Sequence, residues 1–374
     1  MNHHDFPTDG VGVSRPPTPS RIVVRGTNWV GDTVMSLPAA REVRRIFPTA
    51  LLTFWVPSGL VPLVRATGVA DDVVAFDAAA GGPLVRPFRM RKQLAVRHFD
   101  LAVLFQNAFE SAFTSWLAGI PLRVGYPTDL RGPLLSLPVP VPPRIRRKHE
   151  VFYYLGITNF LDTYFNGRPT VPATSPDCSI KLDGVSMGRA RDLLVSSGIE
   201  GYSPLLFCLC PGSANSEAKR WPSDYFSELA DLLIERMDAW VAFLGASNER
   251  SLIDGIVSGM RRNRVVNFAG RADMIASMAI MGMSRMVISN DTGSAHLAVA
   301  AGARVLTLFG PTSPGATAPY GPAAHIIQGE APCAPCRHFR CPQSDHTCMR
   351  SLEPAAVLRQ MEWILLSQPK SRAK

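Results

Sequence analysis

The chain has 374 residues, 46% of them apolar, and carries a formal charge of +9 with an isoelectric point near 9.4. That length allows two domains with substantial cores, and the composition excludes a disordered or fibrous protein. The charge implies an acidic partner; nucleic acid, anionic lipid and phosphorylated substrates all stay open on charge alone.

Residues 1–20, MNHHDFPTDGVGVSRPPTPS, hold four prolines without apolar periodicity and read as a flexible tail. The tail lacks the apolar core of roughly 7–15 residues that a signal peptide needs. The longest apolar stretch, MIASMAIMGM (274–283), is far short of the ~18 residues of a membrane span. A soluble, cytoplasmic protein is therefore expected.

A first strand is expected at RIVVRG (21–26). The following TNWVGDTVMSLPAA sits where a mononucleotide-binding fold puts its phosphate loop, yet Gly26 and Gly31 fit neither G-x-G-x-x-G nor the Walker pattern. An acid, Asp32, stands at the helix start instead. VMSLPAAREVRRIF (34–47) has helical spacing, and LLTFWVP (51–57), DVVAF (72–76) and DLAVLFQ (100–106) supply further strands. Cations bunch in RPFRMRKQLAVRH (86–98) and RIRRKH (144–149), which reads either as solvated faces or as a surface for the acidic partner. A Pro/Ser/Thr-rich stretch at 168–184 marks a domain boundary.

The same alternation restarts with PLLFCLCPGS (204–213), WVAFLGAS (240–247), RVVNFAG (264–270), RMVISND (285–291) and RVLTLFGP (304–311). Two α/β domains with doubly wound parallel sheets are expected: a tail 1–20, a first domain 21–182, a second 183–353, and a C-terminal helix and tail 354–374. Such sheets bind ligands at their strand carboxyl ends, which makes the crevice between the domains the default site.

The polar motifs fall at those ends. In PGSANSEAKRWP (211–222), Gly212 and Ser213 permit close backbone approach, Ser213 and Ser216 add hydroxyl donors, and Lys219 beside Arg220 supplies the cation of an anion site at a helix start. In FLGASNERS (243–251), Gly245 sits in a turn and Glu249 in an opening helical turn, where it favours the helix dipole or binds ribose hydroxyls. Gly270 in NFAGRADM (267–274) ends another strand whose backbone can meet a base edge. VISNDTGSAHLAVAAGARVLTLFGPTSP (287–314) brings Asp291, Thr292, Gly293, Ser294 and His296 to one turn, the ordinary alternative for Asp291 being a helix N-cap. So many ligand-capable groups point to a polyhydroxylated, phosphorylated ligand such as a sugar nucleotide. Cys333, Cys336, Cys341 and Cys348 form either a zinc or iron–sulfur site or a set of reduced thiols; the last gap is unusual for a zinc ribbon and favours the thiols.

NWVGDTVMSLPA, PGSANSEAKRWP, NFAGRAD and SNDTGSAHLAVAAGARVLTLFGPTSP, in this order, resemble glycosyltransferase family 9 over about residues 21–360. Within it the pattern is most similar to the lipopolysaccharide heptosyltransferase II group; types I and III, or a relative using another nucleotide sugar, are the alternatives. The resemblance implies GT-B architecture, with two Rossmann-like domains facing an interdomain cleft. It also implies an inverting, metal-independent, cofactor-free transfer of L-glycero-D-manno-heptose from ADP-heptose to the inner core of lipopolysaccharide. Asp32 is then the general base, Lys219 contacts the diphosphate, Asp291 the heptose, Thr292 and Gly293 the diphosphate with His296 close by, and Glu249 the ribose. Gly212, Ser213, Ser216, Gly245, Gly270 and Ser294 complete the expected donor site; Asn28, Gly31, Arg146 and Arg147 complete the acceptor site. The implied partners are the sugar nucleotide and a lipid A acceptor bearing Kdo and heptose at the inner face of the cytoplasmic membrane, with no nucleic acid. An acid at the first helix start then makes sense: the phosphates lie on the second domain, and the acceptor hydroxyl needs a base, worth about 10²–10⁴-fold.

Overall fold

Apolar β-branched runs separated by helical segments of 4 to 17 residues leave parallel sheets as the way to satisfy the backbone and bury both faces of each strand. The computed structural model describes residues 16–77, 82–141, 148–167, 175–199, 205–214, 216–343 and 345–367. Arg146, Arg147 and most of the expected N-terminal tail lie outside the described residues.

The first lobe runs β1 (Arg21–Arg25), α1 (Val30–Ile46), β2 (Leu51–Pro57), α2 (Val61–Ala66), β3 (Asp72–Phe76), α3 (Gly82–Ala95), β4 (Leu101–Leu104), α4 (Phe109–Leu117), β5 (Leu122–Gly125), β6 (Leu137–Pro138) and α5 (Glu150–Asn166). The second runs α6 (Gly184–Val195), β7 (Leu206–Cys210), α7 (Ser223–Met237), β8 (Trp240–Phe243), α8 (Arg250–Ser258), β9 (Val265–Asn267), α9 (Met274–Met283), β10 (Met286–Asn290), α10 (Gly293–Ala300), β11 (Val305–Phe309), α11 (Pro314–Thr317), β12 (Ala324–Gln328), α12 (Thr347–Arg350) and α13 (Pro354–Ser367).

Each lobe holds one six-stranded, all-parallel sheet, ordered β3-β2-β1-β4-β5-β6 and β12-β11-β10-β7-β8-β9. With β7 counted as its first strand, the second sheet has the same winding as the first. In both, the strand order reverses between the first and fourth strands, the point where doubly wound sheets bind ligands. The central strands β4, β7, β10 and β11 are buried throughout, as two-sided packing requires.

The lobes share apolar packing. A continuous buried cluster runs from Val24, Val43 and Leu161 in the first to Met278, Val287 and Ala298 in the second. The Ile180 N–H donates to the Ala300 carbonyl at 2.7 Å, and Arg41 bonds the Asp177 carboxylate at 3.0 Å, so the strap between the lobes is tied to both. Helix α13 packs on α7 and buries Val357, Leu358, Met361 and Ile364 in the second core.

Candidate active site between the lobes

On the first lobe, β1 delivers the chain to a tight turn in which Thr33 Oγ1 donates to the Trp29 carbonyl at 2.8 Å and lies 2.9 Å from Thr27 Oγ1. Trp29 occupies the N-cap of α1 without a side-chain cap bond, so Asp32 lies inside the first turn and caps nothing. Helix α1 also begins earlier than its apolar spacing suggests, because Val30 and Gly31 are already helical. The Asp32 carboxylate makes no hydrogen bond among the described residues. Burial pushes its pKa up to about 6, and the Lys219 ammonium across the cleft pulls against that rise. Glu150, at the start of α5, is raised by burial and by the Asp32 charge. Tyr154, one turn further along, is held well above the usual phenol range by burial and by the same two carboxylates.

Asn28 is exposed and accepts a 2.6 Å hydrogen bond from Arg25 Nη2. The Arg25 guanidinium is itself buried, lying 5.0 Å from the Trp55 ring centre and 4.8 Å from that of Phe76. Desolvation brings its pKa down to about 9.

On the second lobe, the Lys219 ammonium ion-pairs with Asp291 Oδ2 at 2.7 Å and reaches the Asp291 carbonyl at 3.2 Å. Thr312 Oγ1 donates to the same carboxylate oxygen at 2.7 Å. Asp291 is therefore not the N-cap of α10; Thr292 is, and it makes no side-chain cap bond. The first N–H groups of α10 thus have no side-chain partner at the cap, the condition for an anion site at a helix start. Asn290 ties the ends of β10 and β7 together, accepting from the Trp221 N–H at 3.0 Å and donating to the Pro211 carbonyl at 2.8 Å. Ser294, in the first turn of α10, lies beside the buried Cys210 thiol.

The ends of β7, β8 and β9 form an adjoining group. Glu249 Oε2 accepts from the Ala246 N–H at 2.9 Å, and its carboxylate fills the space over Gly212: a Cβ there would lie 1.9 Å from Oε1. Gly245 is shielded by the same carboxylate, and Gly270, at φ +70°, packs against Ser247. Ser213 is buried and its carbonyl accepts from Arg220. Ser216 is turned away: its hydroxyl donates to the Phe339 carbonyl at 3.2 Å, binding the lysine loop to the cysteine-containing segment. His346 Nε2 lies 2.8 Å from the Ala218 carbonyl of that same loop. The four cysteines of the segment are unpaired, and among the described residues no group of three or more His, Cys, Asp or Glu is placed to hold a metal ion. Burial, then the three neighbouring thiols, push Cys348 up to about 11.

Two glycines let the lobes meet. A Cβ on Gly31 would lie 2.9 Å from His296 Cδ2, and one on Gly293 would lie 2.8 Å from Val30 Cβ. The starts of α1 and α10 therefore abut, each at the carboxyl end of a central strand. His296, buried beneath Gly31, is kept neutral with its pKa brought down to about 4 by desolvation, and its Nδ1 has no hydrogen-bond partner among the described residues. His149 Nε2 lies 2.6 Å from the Ala318 carbonyl, a second bond across the lobes. The structure thus gathers Gly31, Asp32, Lys219, Asp291, Thr292, Gly293 and His296 at one junction, with Gly212, Gly245, Glu249 and Gly270 beside it. Glu150, His149, Tyr154 and Thr312 belong to this junction and were not singled out from the sequence. The histidine and the acid stand at the end of the RIRRKHE run, where the density of cations masked them.

The chain matches glycosyltransferase family 9 (heptosyltransferase) over residues 87–346. It is 24% identical over 361 residues to lipopolysaccharide heptosyltransferase 2 of Escherichia coli strain K12, covering 93% of this chain and 99% of that one. To lipopolysaccharide heptosyltransferase 1 of Pseudomonas aeruginosa it is 32% identical over 377 residues, covering 93% and 98%. Its fold superposes on the structure of E. coli ADP-heptose lps heptosyltransferase II with a TM-score of 0.77 at 22% identity, over 92% of this chain and 98% of that one.

Proposed function

This chain belongs to glycosyltransferase family 9, and on that premise we propose that it is a heptosyltransferase of the lipopolysaccharide inner core, moving L-glycero-D-manno-heptose from ADP-heptose to the second heptose position. The observation that carries the mechanism is the Asp32 carboxylate, half-buried, without a hydrogen bond among the described residues and facing the Lys219 ammonium across the cleft. Lobe 21–182 holds the acceptor and lobe 183–353 the donor. ADP lies over the ends of β7 to β10, with its ribose on Glu249 and its diphosphate on Lys219 and the open N–H groups of α10. Asp32 takes the proton of the acceptor hydroxyl as that oxygen attacks the anomeric carbon from the face opposite the diphosphate. The new glycosidic bond forms, the bond to the diphosphate oxygen breaks, and ADP leaves with configuration inverted. Lys219 offsets the charge that grows on the leaving group, where an aimed donor counts most. Asp291, which shares Lys219 with the phosphates, turns its carboxylate to the heptose hydroxyls. His296 stays neutral and presents Nδ1 as a hydrogen-bonding group rather than as a charge.

The acceptor is a lipid A bearing Kdo and one heptose, and the enzyme works at the cytoplasmic face of the inner membrane. The higher identity to a type 1 enzyme supports a second reading, in which the first heptose is added. One experiment separates the two. The purified protein is given ADP-heptose and either Kdo-lipid A without heptose or the same acceptor carrying one heptose, and products are weighed by mass spectrometry. Addition of one heptose only to the heptosylated acceptor is the expected result. Addition only to the heptose-free acceptor establishes the second reading, and consumption of ADP-heptose with neither acceptor rejects both.

A further inference from the structure

The solvent sides of α3 and α4 carry an apolar surface that the transfer chemistry does not use. Both helices pack their inner sides on the apolar cluster of Val23, Trp55, Phe76, Met90, Leu94 and Ala112. Outward they present Phe88 at 51% exposure, Phe109 at 47% and Trp116 at 51%, flanked by Val85 at 48% and Val96 at 70%. Phe113 lies between Phe109 and Trp116, stacked on them at centroid distances of 5.6 and 6.0 Å, and meets Phe88 edge-on at 6.2 Å. Single exposed apolar side chains need no explanation, but a contiguous aromatic ladder marks an interaction site.

Charge decides what it meets. Residues 78–99 contain five cations, Arg86, Arg89, Arg91, Lys92 and Arg97, and no acid. Arg86 is paired with Glu110 at 3.0 Å and Arg97 with Asp72 at 3.6 Å, whereas Arg89, Arg91 and Lys92 are exposed and have no ion pair among the described residues. A second copy of this chain would bring like charges together. Nucleic-acid bases need free ring faces, and here the rings are stacked on one another. An anionic bilayer satisfies both features: aromatic rings settle at the headgroup level, and long cationic side chains lie among the phosphates.

We propose that the outer face of α3 and α4 is the surface by which this protein lies on an anionic lipid bilayer, bringing the first lobe against the membrane. The inference rests on the proposed lipid-linked acceptor for its purpose, while its test needs no acceptor. Full-length protein is sedimented with vesicles of phosphatidylcholine alone or enriched in phosphatidylglycerol. Binding to the anionic vesicles only, weakened by salt, is expected. At about fivefold per cation near such a surface, R89E/R91E/K92E lowers vesicle affinity on the order of 100-fold. The pair Phe88→Ser and Trp116→Ser lowers it about tenfold or more without changing salt dependence. Both variants keep wild-type heptose transfer to a deacylated, water-soluble acceptor, which tests the catalytic reading separately. Equal binding to both vesicle types, unchanged affinity in the variants, or capture of single-stranded nucleic acid without vesicle binding overturns the proposal.

Discussion

Asp32→Asn separates the proposed base from a helix-start acid, because the two roles predict opposite changes in stability. A carboxylate in the first turn of α1 that served only the helix dipole would contribute about 0.3–1 kcal/mol, lost on neutralisation. The observed environment does the reverse. Burial raises the Asp32 pKa from 3.8 to about 6, so the folded protein holds this proton more tightly than the unfolded chain. At about 1.36 kcal/mol for each pH unit of difference, ionising Asp32 costs the native state roughly 3 kcal/mol. The sign follows: stability is full below about pH 4, falls as pH rises through 6, and stays lower above it. The asparagine variant escapes that penalty, so it should be more stable by about 3 kcal/mol at pH 7.5 and nearly indistinguishable from wild type near pH 4. Its kcat should fall about 10²–10⁴-fold, and the limb of kcat/KM that rises through pH 6 in the wild type should vanish. Urea unfolding at the two pH values, followed by a steady-state pH profile, gives all three quantities. A variant that is less stable at pH 7.5, or whose stability gain is the same at both pH values, refutes the reasoning.

Three further outcomes follow from the same junction. Lys219→Met should weaken ADP binding by about 1.5–3 kcal/mol in calorimetry, and because this ammonium holds the Asp32 pKa down, the acid limb should move above pH 6; an unmoved limb removes the coupling across the cleft. Glu249→Gln should weaken ADP by about 1 kcal/mol or more while leaving 2′,3′-dideoxy-ADP nearly unaffected; equal losses on both nucleotides would take the ribose away from Glu249. Gly31→Ala puts a methyl 2.9 Å from the His296 ring, so α1 and α10 must separate. Since displacements of about 1 Å can cost 10²-fold, kcat should drop at least about tenfold with the melting temperature near wild type, and full activity would show that this approach is not needed.

Of the twelve strands among the described residues, nine were legible because their apolar runs are continuous and end in polar turns. The three missed ones lack that signal for physical reasons. β5 is four residues that follow Pro121 and end in Gly125, β6 is a two-residue edge pairing that ends in Pro138, and the outer strand β12 is half-exposed, so no buried face imposes a pattern on it. The doubled winding was readable in outline, since each half restarts with a buried strand followed by a glycine-bearing polar loop.

The site was legible as chemical groups but not as pairs. Lys219 and Asp291 each stood out alone, yet their 2.7 Å ion pair joins residues 72 apart and has no local signature. The same limit hid the partners of Asp32. Its perturbation is a desolvation effect, and desolvation is set by whatever the tertiary fold brings over the carboxylate. Here that cover includes α5, whose Glu150 begins 118 positions further along the chain than Asp32, and α10, whose start meets Gly31 through His296. A sequence shows that an acid replaces a phosphate loop at the first helix. Whether that acid ends as a solvated cap with an ordinary pKa, or as a base held near 6, depends on how closely the second lobe approaches. Gly31 and Gly293 are where the two helix starts approach most closely, so these two residues without side chains help to set how far Asp32 is covered.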